Sequence, residues 1–266
     1  MIHDKVELDD SASLELYIAD KTTEYSRKAI LIIPGGGYRC VCTEREGEPI
    51  ALAFLQYGFN AFVLKYSVAG RNVFPAQLIE ASKAMKYIRD NADKYGIDVE
   101  NVFAVGFSAG GHLAGTLATM WDMEEIYKEI EMPYAYNKPK GAILVYPVVT
   151  GIGEFARKPS FQNLFGCKEP NVEDLKKASI ELNVTSKSSP AYIIHASNDT
   201  CVPVENSLLL AQAYTRCKVP YEMHIYPRGE HGFALANYIT WDGNLEFIQE
   251  ENEKWIQNVV VWADKL

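Results

Sequence analysis

Residues 102–111 read VFAVGFSAGG, a short apolar run followed by three glycines set around one serine. Four apolar residues in succession are typical of a buried strand, and Leu113 and Leu117 then continue along one face of a helix. Between them, residues 106–110 have the pattern G-x-S-x-G, which predicts a tight strand-to-helix turn with the serine oxygen exposed above a sheet. Because a glycine-rich turn can also serve packing alone, Ser108 is a candidate nucleophile only if suitable partners occur elsewhere.

Two such partners follow later in the chain. A serine hydroxyl is a weak nucleophile unless a base accepts its proton, and GEHGFAL supplies His231 directly after a strand pattern. That imidazole needs a carboxylate to fix its tautomer and stabilise its charged form, and IIHASNDTCVP places Asp199 just beyond another strand. The sequence therefore predicts a hydrogen-bonded set of Ser108, His231 and Asp199 at one edge of a sheet.

Other titratable residues compete for the two supporting roles. His112 lies one turn beyond Ser108 on the same predicted helix, which favours packing or hydrogen bonding. Glu205 lies at a predicted helix start, where the helix dipole explains a carboxylate equally well. The remaining competitors are His3 near the terminus, His195 and His224 within strand patterns, and Glu230. His231 and Asp199 are the preferred assignments.

The stretch LIIPGGGY at residues 31–38 places three glycines after an early predicted strand. Free backbone amides there can donate hydrogen bonds to an oxyanion beside Ser108. We expect the amides of Gly36, Gly37 and Ala109 to form this oxyanion hole, with Gly35 also free. A phosphate-binding loop is the alternative, but Cys40 stands where a third glycine is needed and no Lys-Ser or Lys-Thr pair follows.

Short apolar runs alternate with helical patterns along most of the chain. Because the runs are apolar on both faces, they predict the strands of a mostly parallel sheet with helices on both sides. The predicted strands are residues 29–33, 61–64, 102–105, 142–145 and 191–194, with an alternating strand at 221–226 near a sheet edge. The predicted helices are near residues 50–57, from Pro75 to Gly96, at 210–217 and at 245–265.

The alternation fails once, between residues 148 and 190. A structureless loop of that length is unusual in a compact domain. We therefore predict a cap-like insertion at 148–190 with one or two short helices over the carboxyl ends of the strands. No repeat or linker divides the chain, so residues 1–266 are predicted to form a single domain.

Charge and cysteine content narrow the classes of partner. A formal net charge of −9 argues against nucleic acid or an anionic membrane as partner, because both are polyanions. Five cysteines are an odd number spread over a long chain, so a reduced, cytoplasmic setting is expected rather than a disulfide framework. Cys40 and Cys42 have no second pair of ligands at metal-binding spacing. The sequence thus predicts no metal and no cofactor, and it leaves room for a homo-oligomer.

The motifs together resemble those of the α/β-hydrolase superfamily, and in particular small bacterial acetyl esterases and xylan esterases of the xylanase B-like type. The segments that carry the resemblance are IPGGGY at 33–38, GFSAGGHLA at 106–114, HASNDTCVPVENS at 195–207 and YEMHIYPRGEHGFAL at 221–235. The order of serine, aspartate and histidine along the chain is the order of that superfamily. Pro34 replaces the histidine of the His-Gly-Gly-Gly loop in lipase-like relatives, which weakens any transfer of their substrate preference.

The resemblance implies a serine-dependent carboxylic-ester hydrolase that works through an acyl-enzyme intermediate. Its implied substrates are short acyl esters, in particular O-acetyl groups of sugars or xylo-oligosaccharides. A peptidase or a dienelactone-type hydrolase on the same fold is the alternative within enzymes. A binding protein that performs no chemistry is the alternative outside them.

Overall fold

A computed structural model describes residues 1–21, 24–68 and 72–266. Eight strands form one sheet in the order β1-β2-β4-β3-β5-β6-β7-β8. The strands are β1 (Ile2–Glu7), β2 (Ser13–Ile18), β3 (Arg27–Ile33), β4 (Asn60–Lys65), β5 (Ile97–Phe107), β6 (Ala142–Val145), β7 (Ala191–Ala196) and β8 (Tyr221–Tyr226). Strands β3 to β8 are parallel, whereas β1 and β2 are antiparallel additions at one edge. The mostly parallel sheet that the sequence predicts is confirmed.

Helices cover both faces of this sheet. They are α1 (Thr43–Glu46), α2 (Glu48–Gln56), α3 (Ala76–Asp90), α4 (Ala92–Tyr95), α5 (Ala109–Thr119), α6 (Glu124–Glu129), α7 (Lys158–Leu164), α8 (Val172–Ala178), α9 (Ile180–Asn183), α10 (Glu205–Cys217), α11 (Glu250–Glu253) and α12 (Trp255–Ala263), with a 3-10 turn at Leu245–Phe247. Among the described residues, no helix combines the length and the apolar character needed to cross a lipid bilayer.

Two buried clusters lie on opposite faces of the sheet. Along β3, Leu31 and Ile33 pack with residues of α3, α5 and α10, whereas Ile30 and Ile32 pack with residues of α2 and α12. Successive side chains of a strand point to opposite faces, so a strand buried on both sides must be apolar throughout. This two-sided burial explains why the parallel strands read as continuous apolar runs.

The structure corrects four details of the sequence prediction. Strands β1 and β2 were not predicted. The helix expected from Pro75 to Gly96 is divided at Asn91 into α3 and α4, and the one expected at 245–265 is divided into a 3-10 turn, α11 and α12. The segment between β6 and β7 holds three short helices, α7, α8 and α9, rather than one or two. The predicted edge position of residues 221–226 is confirmed, since β8 ends the sheet.

Candidate active site

The predicted site residues come from loops that follow four parallel strands. The glycine loop (residues 35–37) follows β3, Ser108 follows β5, Asp199 follows β7 and His231 follows β8. In a parallel sheet the carboxyl ends of the strands lie at the same edge, where ligands bind. Gly36, Gly37, Ser108 and His231 line one cavity of about 380 Å³, which we call the serine pocket.

Ser108 lies in the tight turn that the sequence predicts, between β5 and α5. Its backbone has φ 54° and ψ −116°, a left-handed conformation that a non-glycine residue adopts only at a cost. A Cβ atom on Gly106 would overlap the carbonyl oxygen of Gly110, and one on Gly110 would overlap the carbonyl oxygens of Ile33 and Pro34. Glycine is therefore required at both positions, because the backbone of the turn packs directly against itself and against the end of β3.

The structure brings Ser108, His231 and Asp199 into one hydrogen-bonded series. Ser108 Oγ lies 2.8 Å from His231 Nε2. His231 Nδ1 lies 2.7 Å from Asp199 Oδ2. Since a carboxylate only accepts, Nδ1 carries the proton and Nε2 is left to accept from the serine hydroxyl. This is the arrangement in which an imidazole can take a proton from Ser108.

Asp199 is held by several further donors. Its Oδ1 accepts from the backbone amides of Cys201 and Val202, both at 2.9 Å. Its Oδ2 also lies 3.3 Å from Nε2 of the buried His195. Burial alone would raise the pKa of Asp199, but the hydrogen bonds from His195, His231 and the Val202 amide hold it well below its usual range. The carboxylate is therefore charged and fixed in orientation.

A tyrosine and a glutamate that the sequence analysis missed support the His231 side of the site. The Tyr146 ring packs edge-on against the His231 ring at 5.0 Å between centroids. Its hydroxyl donates to Glu46 Oε1 at 2.9 Å and accepts from the Ala234 amide at 3.1 Å. The other Glu46 oxygen accepts from the Gly35 amide at 2.7 Å. Glu46 thus connects the glycine loop to the segment that follows His231.

The glycine loop supplies fewer free amides than the sequence suggested. The Gly35 amide is bonded to Glu46 and is not available to a ligand, so the expectation that it is free was wrong. Gly36 and Gly37 line the serine pocket, and their amides donate no hydrogen bond to another described residue. Ala109 is fully buried as the first residue of α5, a position whose amide has no acceptor within the helix. Gly36 and Gly37 thus share the pocket with Ser108, and Ala109 follows Ser108 directly at the start of α5.

Two side-chain contacts hold the glycine loop in place. The Tyr38 hydroxyl lies 2.7 Å from His112 Nδ1, and His112 Nε2 lies 2.7 Å from the Ala178 carbonyl oxygen. On the other side, Asn163 Nδ2 donates to the Gly37 carbonyl oxygen at 2.9 Å. Helices α7 and α8 of the segment between β6 and β7 thus fix the loop from above.

The competing histidines and carboxylates take other positions. His112 is fully buried between Tyr38 and Ala178, and burial lowers its pKa to about 4. His195 Nδ1 lies 2.7 Å from Ser207 Oγ, so this ring is a buried support for Asp199. His224 bonds to Glu222 on β8, His3 stacks on Tyr17, and Glu205 is the first residue of α10.

The cysteines near the pocket do not form a metal site. Cys40 and Cys42 both line it, and burial raises the pKa of the Cys42 thiol to about 12. Within residues 1–21, 24–68 and 72–266, no cluster of three or more His, Cys, Asp or Glu side chains is arranged to hold a metal ion.

A sequence signal existed for Tyr146 but not for Glu46. Tyr146 follows β6 directly and precedes Pro147, so it lies at the carboxyl end of a buried strand, where site residues are expected. Glu46 belongs to the four-residue helix α1, whose sequence resembles any charged surface turn. Its burial depends on Gly35 and Tyr146, which are distant in sequence, and no local pattern reports such contacts.

The chain is similar in sequence to a known protein family and to several named proteins. A model of the BD-FAE family matches residues 14–214. Endo-1,4-beta-xylanase B of Butyrivibrio fibrisolvens is 38% identical over 236 residues, which are 86% of this chain and 36% of that protein. Acetylxylan esterase of Xylanibacter ruminicola is 29% identical over 240 residues, 88% of this chain and 46% of that protein. The chain thus spans between about a third and about half the length of these two relatives.

The crystal structure of an acetyl ester-xyloside bifunctional hydrolase from Caldicellulosiruptor lactoaceticus superposes with a TM-score of 0.82. It is 34% identical, and the match covers 96% of this chain and 88% of that one. This likeness confirms the predicted α/β-hydrolase fold. The chain belongs to the BD-FAE family of this fold.

Proposed function

We propose that this protein is a serine-dependent hydrolase of short-chain carboxylic esters, in particular of O-acetyl groups on sugars or xylo-oligosaccharides. The observation that carries the proposal is the continuous hydrogen-bonded series from Ser108 through His231 to Asp199, with Ser108 on the wall of the serine pocket. A hydroxyl with a positioned base, a fixed carboxylate and adjacent free amides is the arrangement that acyl transfer requires.

In the first step Ser108 Oγ attacks the ester carbonyl carbon while His231 Nε2 takes the serine proton. The negative charge that develops on the carbonyl oxygen is stabilised by the amides of Gly36, Gly37 and Ala109, and Asp199 stabilises the imidazolium. His231 then returns the proton to the leaving alcohol oxygen as the ester C–O bond breaks. The products of this step are the free alcohol and an acyl group bound to Ser108.

In the second step water replaces the alcohol. His231 Nε2 accepts a proton from the water as its oxygen attacks the acyl carbon, and the same amides hold the second oxyanion. The proton then passes to Ser108 Oγ as the acyl–oxygen bond breaks, which releases the carboxylic acid and restores the serine. Every step uses groups of this chain and water.

The substrate class is supported by the names of the similar proteins and by the size of the pocket. One of these proteins is named an acetylxylan esterase, and another is named an acetyl ester-xyloside bifunctional hydrolase. A volume of about 380 Å³ is near the lower end of the range for small-molecule sites, which suits a short acyl group with one sugar ring.

Covalent labelling combined with a Ser108→Ala substitution tests the proposal. We expect a fluorophosphonate probe to label Ser108, and the variant to lose both labelling and hydrolysis of 4-nitrophenyl acetate, by about 10⁴-fold or more. A panel of acetyl, butyryl and longer esters with aminoacyl amides distinguishes an esterase from a peptidase. Full activity of the Ser108→Ala variant, with an unchanged melting temperature, would overturn the assignment.

A further inference from the structure

The serine pocket is lined by three arginines, although the chain as a whole carries a net charge of −9. They come from different parts of the fold. Arg39 follows the glycine loop, Arg45 lies on α1, and Arg157 immediately precedes α7. Three separate elements therefore bring positive charge to the cavity that contains Ser108.

These arginines differ in their acidic neighbours. Arg45 lies 4.0 Å from an Asp242 oxygen and over the Phe247 ring at 5.2 Å. For Arg39 and Arg157, no carboxylate oxygen lies within 4.0 Å anywhere in the part of the chain that the structure describes. Arg157 is half-buried, and the Cys201 thiol beside it is a neutral group at neutral pH because burial raises its pKa. Two cations of the pocket thus have no anionic partner among the described residues.

The carboxylates near the pocket are already engaged by other groups. Glu46 is the only carboxylate on the described lining, and its two oxygens accept from the Gly35 amide and the Tyr146 hydroxyl. Asp199, behind His231, accepts from two histidines and two backbone amides. Neither is available to neutralise Arg39 or Arg157.

We propose that the serine pocket selects esters that carry a carboxylate near the ester bond, and that Arg157 and Arg39 bind that carboxylate. This inference rests on the proposed ester hydrolysis and names the substrate class within it. The planar guanidinium donates two parallel N–H groups that match a carboxylate, and a cavity lined by positive charge concentrates anions. The carboxylate belongs either to an acidic sugar in the alcohol part or to a dicarboxylic acyl group.

Matched pairs of substrates test the preference. In one arm, an O-acetylated methyl uronoside is compared with its uronamide, which has the same size without the charge. In the other arm, a succinyl monoester of methyl xyloside is compared with the same ester in which the free carboxyl group is a carboxamide. We expect kcat/KM for the acid to exceed that for the amide by about tenfold in one arm, the effect of one charge-assisted hydrogen bond. The arm that shows the preference identifies which part of the substrate bears the carboxylate.

Substitutions then assign the preference to particular residues. Arg157→Gln is expected to reduce the acid-to-amide ratio about fivefold, to about two, and Arg39→Gln to reduce it only about twofold because Arg39 is exposed to solvent. Arg157→Lys should retain part of the ratio, since lysine keeps the positive charge but lacks the planar group with two parallel N–H donors. Arg27→Gln is the matched control, because Arg27 begins β3 at the opposite end of that strand from the pocket, and its ratio should stay at the wild-type value.

The outcomes separate this inference from the function on which it rests. If the wild-type protein cleaves both members of each pair at equal rates, the inference is wrong and the proposed esterase stands. A ratio that persists in Arg157→Gln and Arg39→Gln assigns the preference to other groups and also overturns the inference. If no ester in either arm is cleaved while Ser108 resists the fluorophosphonate probe, both proposals fail together.

Discussion

Two regions flank Ser108, and each contains a histidine. In both, one ring nitrogen bonds to a hydroxyl and the other bonds to a carbonyl or carboxylate oxygen. In the region above α5, His112 Nδ1 faces the Tyr38 hydroxyl and Nε2 faces the Ala178 carbonyl oxygen. In the region after β8, His231 Nε2 faces Ser108 Oγ and Nδ1 faces the Asp199 carboxylate. The two networks differ in the acceptor behind the ring and in the exposure of the ring itself.

The difference decides what each ring can do. A carbonyl oxygen fixes the tautomer of His112 but carries no charge to balance an imidazolium, and complete burial lowers the pKa of His112 to about 4. The carboxylate of Asp199 supplies that balancing charge, and the His231 side chain keeps 17% of its surface exposed at the pocket. His112 therefore suits a fixed support for the glycine loop, and His231 suits a base that gains and loses a proton.

Substitution of His231 should give the largest effect on activity. His231→Gln removes the group that we propose takes the Ser108 proton, so kcat/KM on 4-nitrophenyl acetate should fall by about 10⁴- to 10⁶-fold. The ring is at the surface of the pocket, so the melting temperature should change little. His224→Gln is the matched control on β8, where His224 hydrogen-bonds to Glu222 and stacks on Tyr192, and it should keep wild-type activity. A His231→Gln variant within tenfold of wild type would contradict the proposed base.

Substitution of Asp199 tests the carboxylate that distinguishes the two networks. Asp199→Asn keeps an oxygen that can accept from the Cys201 and Val202 amides, so the loop should keep its shape. It removes the charge behind His231, and kcat should fall by about 10⁴-fold. Asp9→Asn is a matched control, since Asp9 also accepts from two backbone amides and has a pKa lowered to about 2, but lies away from the pocket. Equal losses in both variants would assign the effect to folding instead.

The sequence predicts the different roles of His231 and His112 only in part. The position of His231 after a late strand, in chain order after Ser108 and Asp199, predicts that it faces the serine. The position of His112 one turn along α5 predicts a packing or hydrogen-bonding role, and the structure places it in such a network. Its partners Tyr38 and Ala178 could not be predicted, because no local pattern relates residues 74 and 66 positions away.

Burial on both faces explains why the inner parallel strands were predicted. Strands β3 to β7 are buried on both faces and therefore read as apolar runs. Strand β1 is an exposed edge strand, and its sequence IHDKVE lacks a dense apolar signal. The segment between β6 and β7 reads as a loop because its helices have only four to seven residues each. They contact α5 and the glycine loop, which are distant in sequence and leave no local periodicity.

Substitution of His112 should affect stability far more than chemistry. His112→Phe keeps a ring but leaves the buried Tyr38 hydroxyl and the Ala178 carbonyl oxygen without this partner. The free energy of unfolding should fall by about 2–4 kcal/mol at pH 7, as measured by urea denaturation. A loss of activity with unchanged stability would instead give His112 a direct role in the reaction.

The pH dependence of stability tests whether His112 is neutral in the folded protein. Its folded-state pKa of about 4 lies below the unfolded value of about 6.5, so between these pH values the unfolded chain binds the additional proton. The free energy of unfolding should therefore decrease as the pH falls from about 6.5 to 4, with up to about 3 kcal/mol assigned to this residue. Because His112→Phe lacks that proton site, its stability deficit relative to wild type should shrink across the same range. A deficit that stays constant from pH 7 to pH 4 would show that His112 titrates normally when folded.

The smallest effect is expected on the opposite side of the glycine loop. Asn163→Ala removes the hydrogen bond to the Gly37 carbonyl oxygen but leaves the Tyr38–His112 support, so the loop keeps one of its two restraints. A neutral hydrogen bond is worth about 1 kcal/mol, so kcat should fall by only about threefold to fivefold. Gln162→Ala is the control in the same helix, because Gln162 is bonded to the Lys168 carbonyl oxygen outside the loop. If both variants match wild type in kcat, the Tyr38–His112 side alone positions the Gly36 and Gly37 amides.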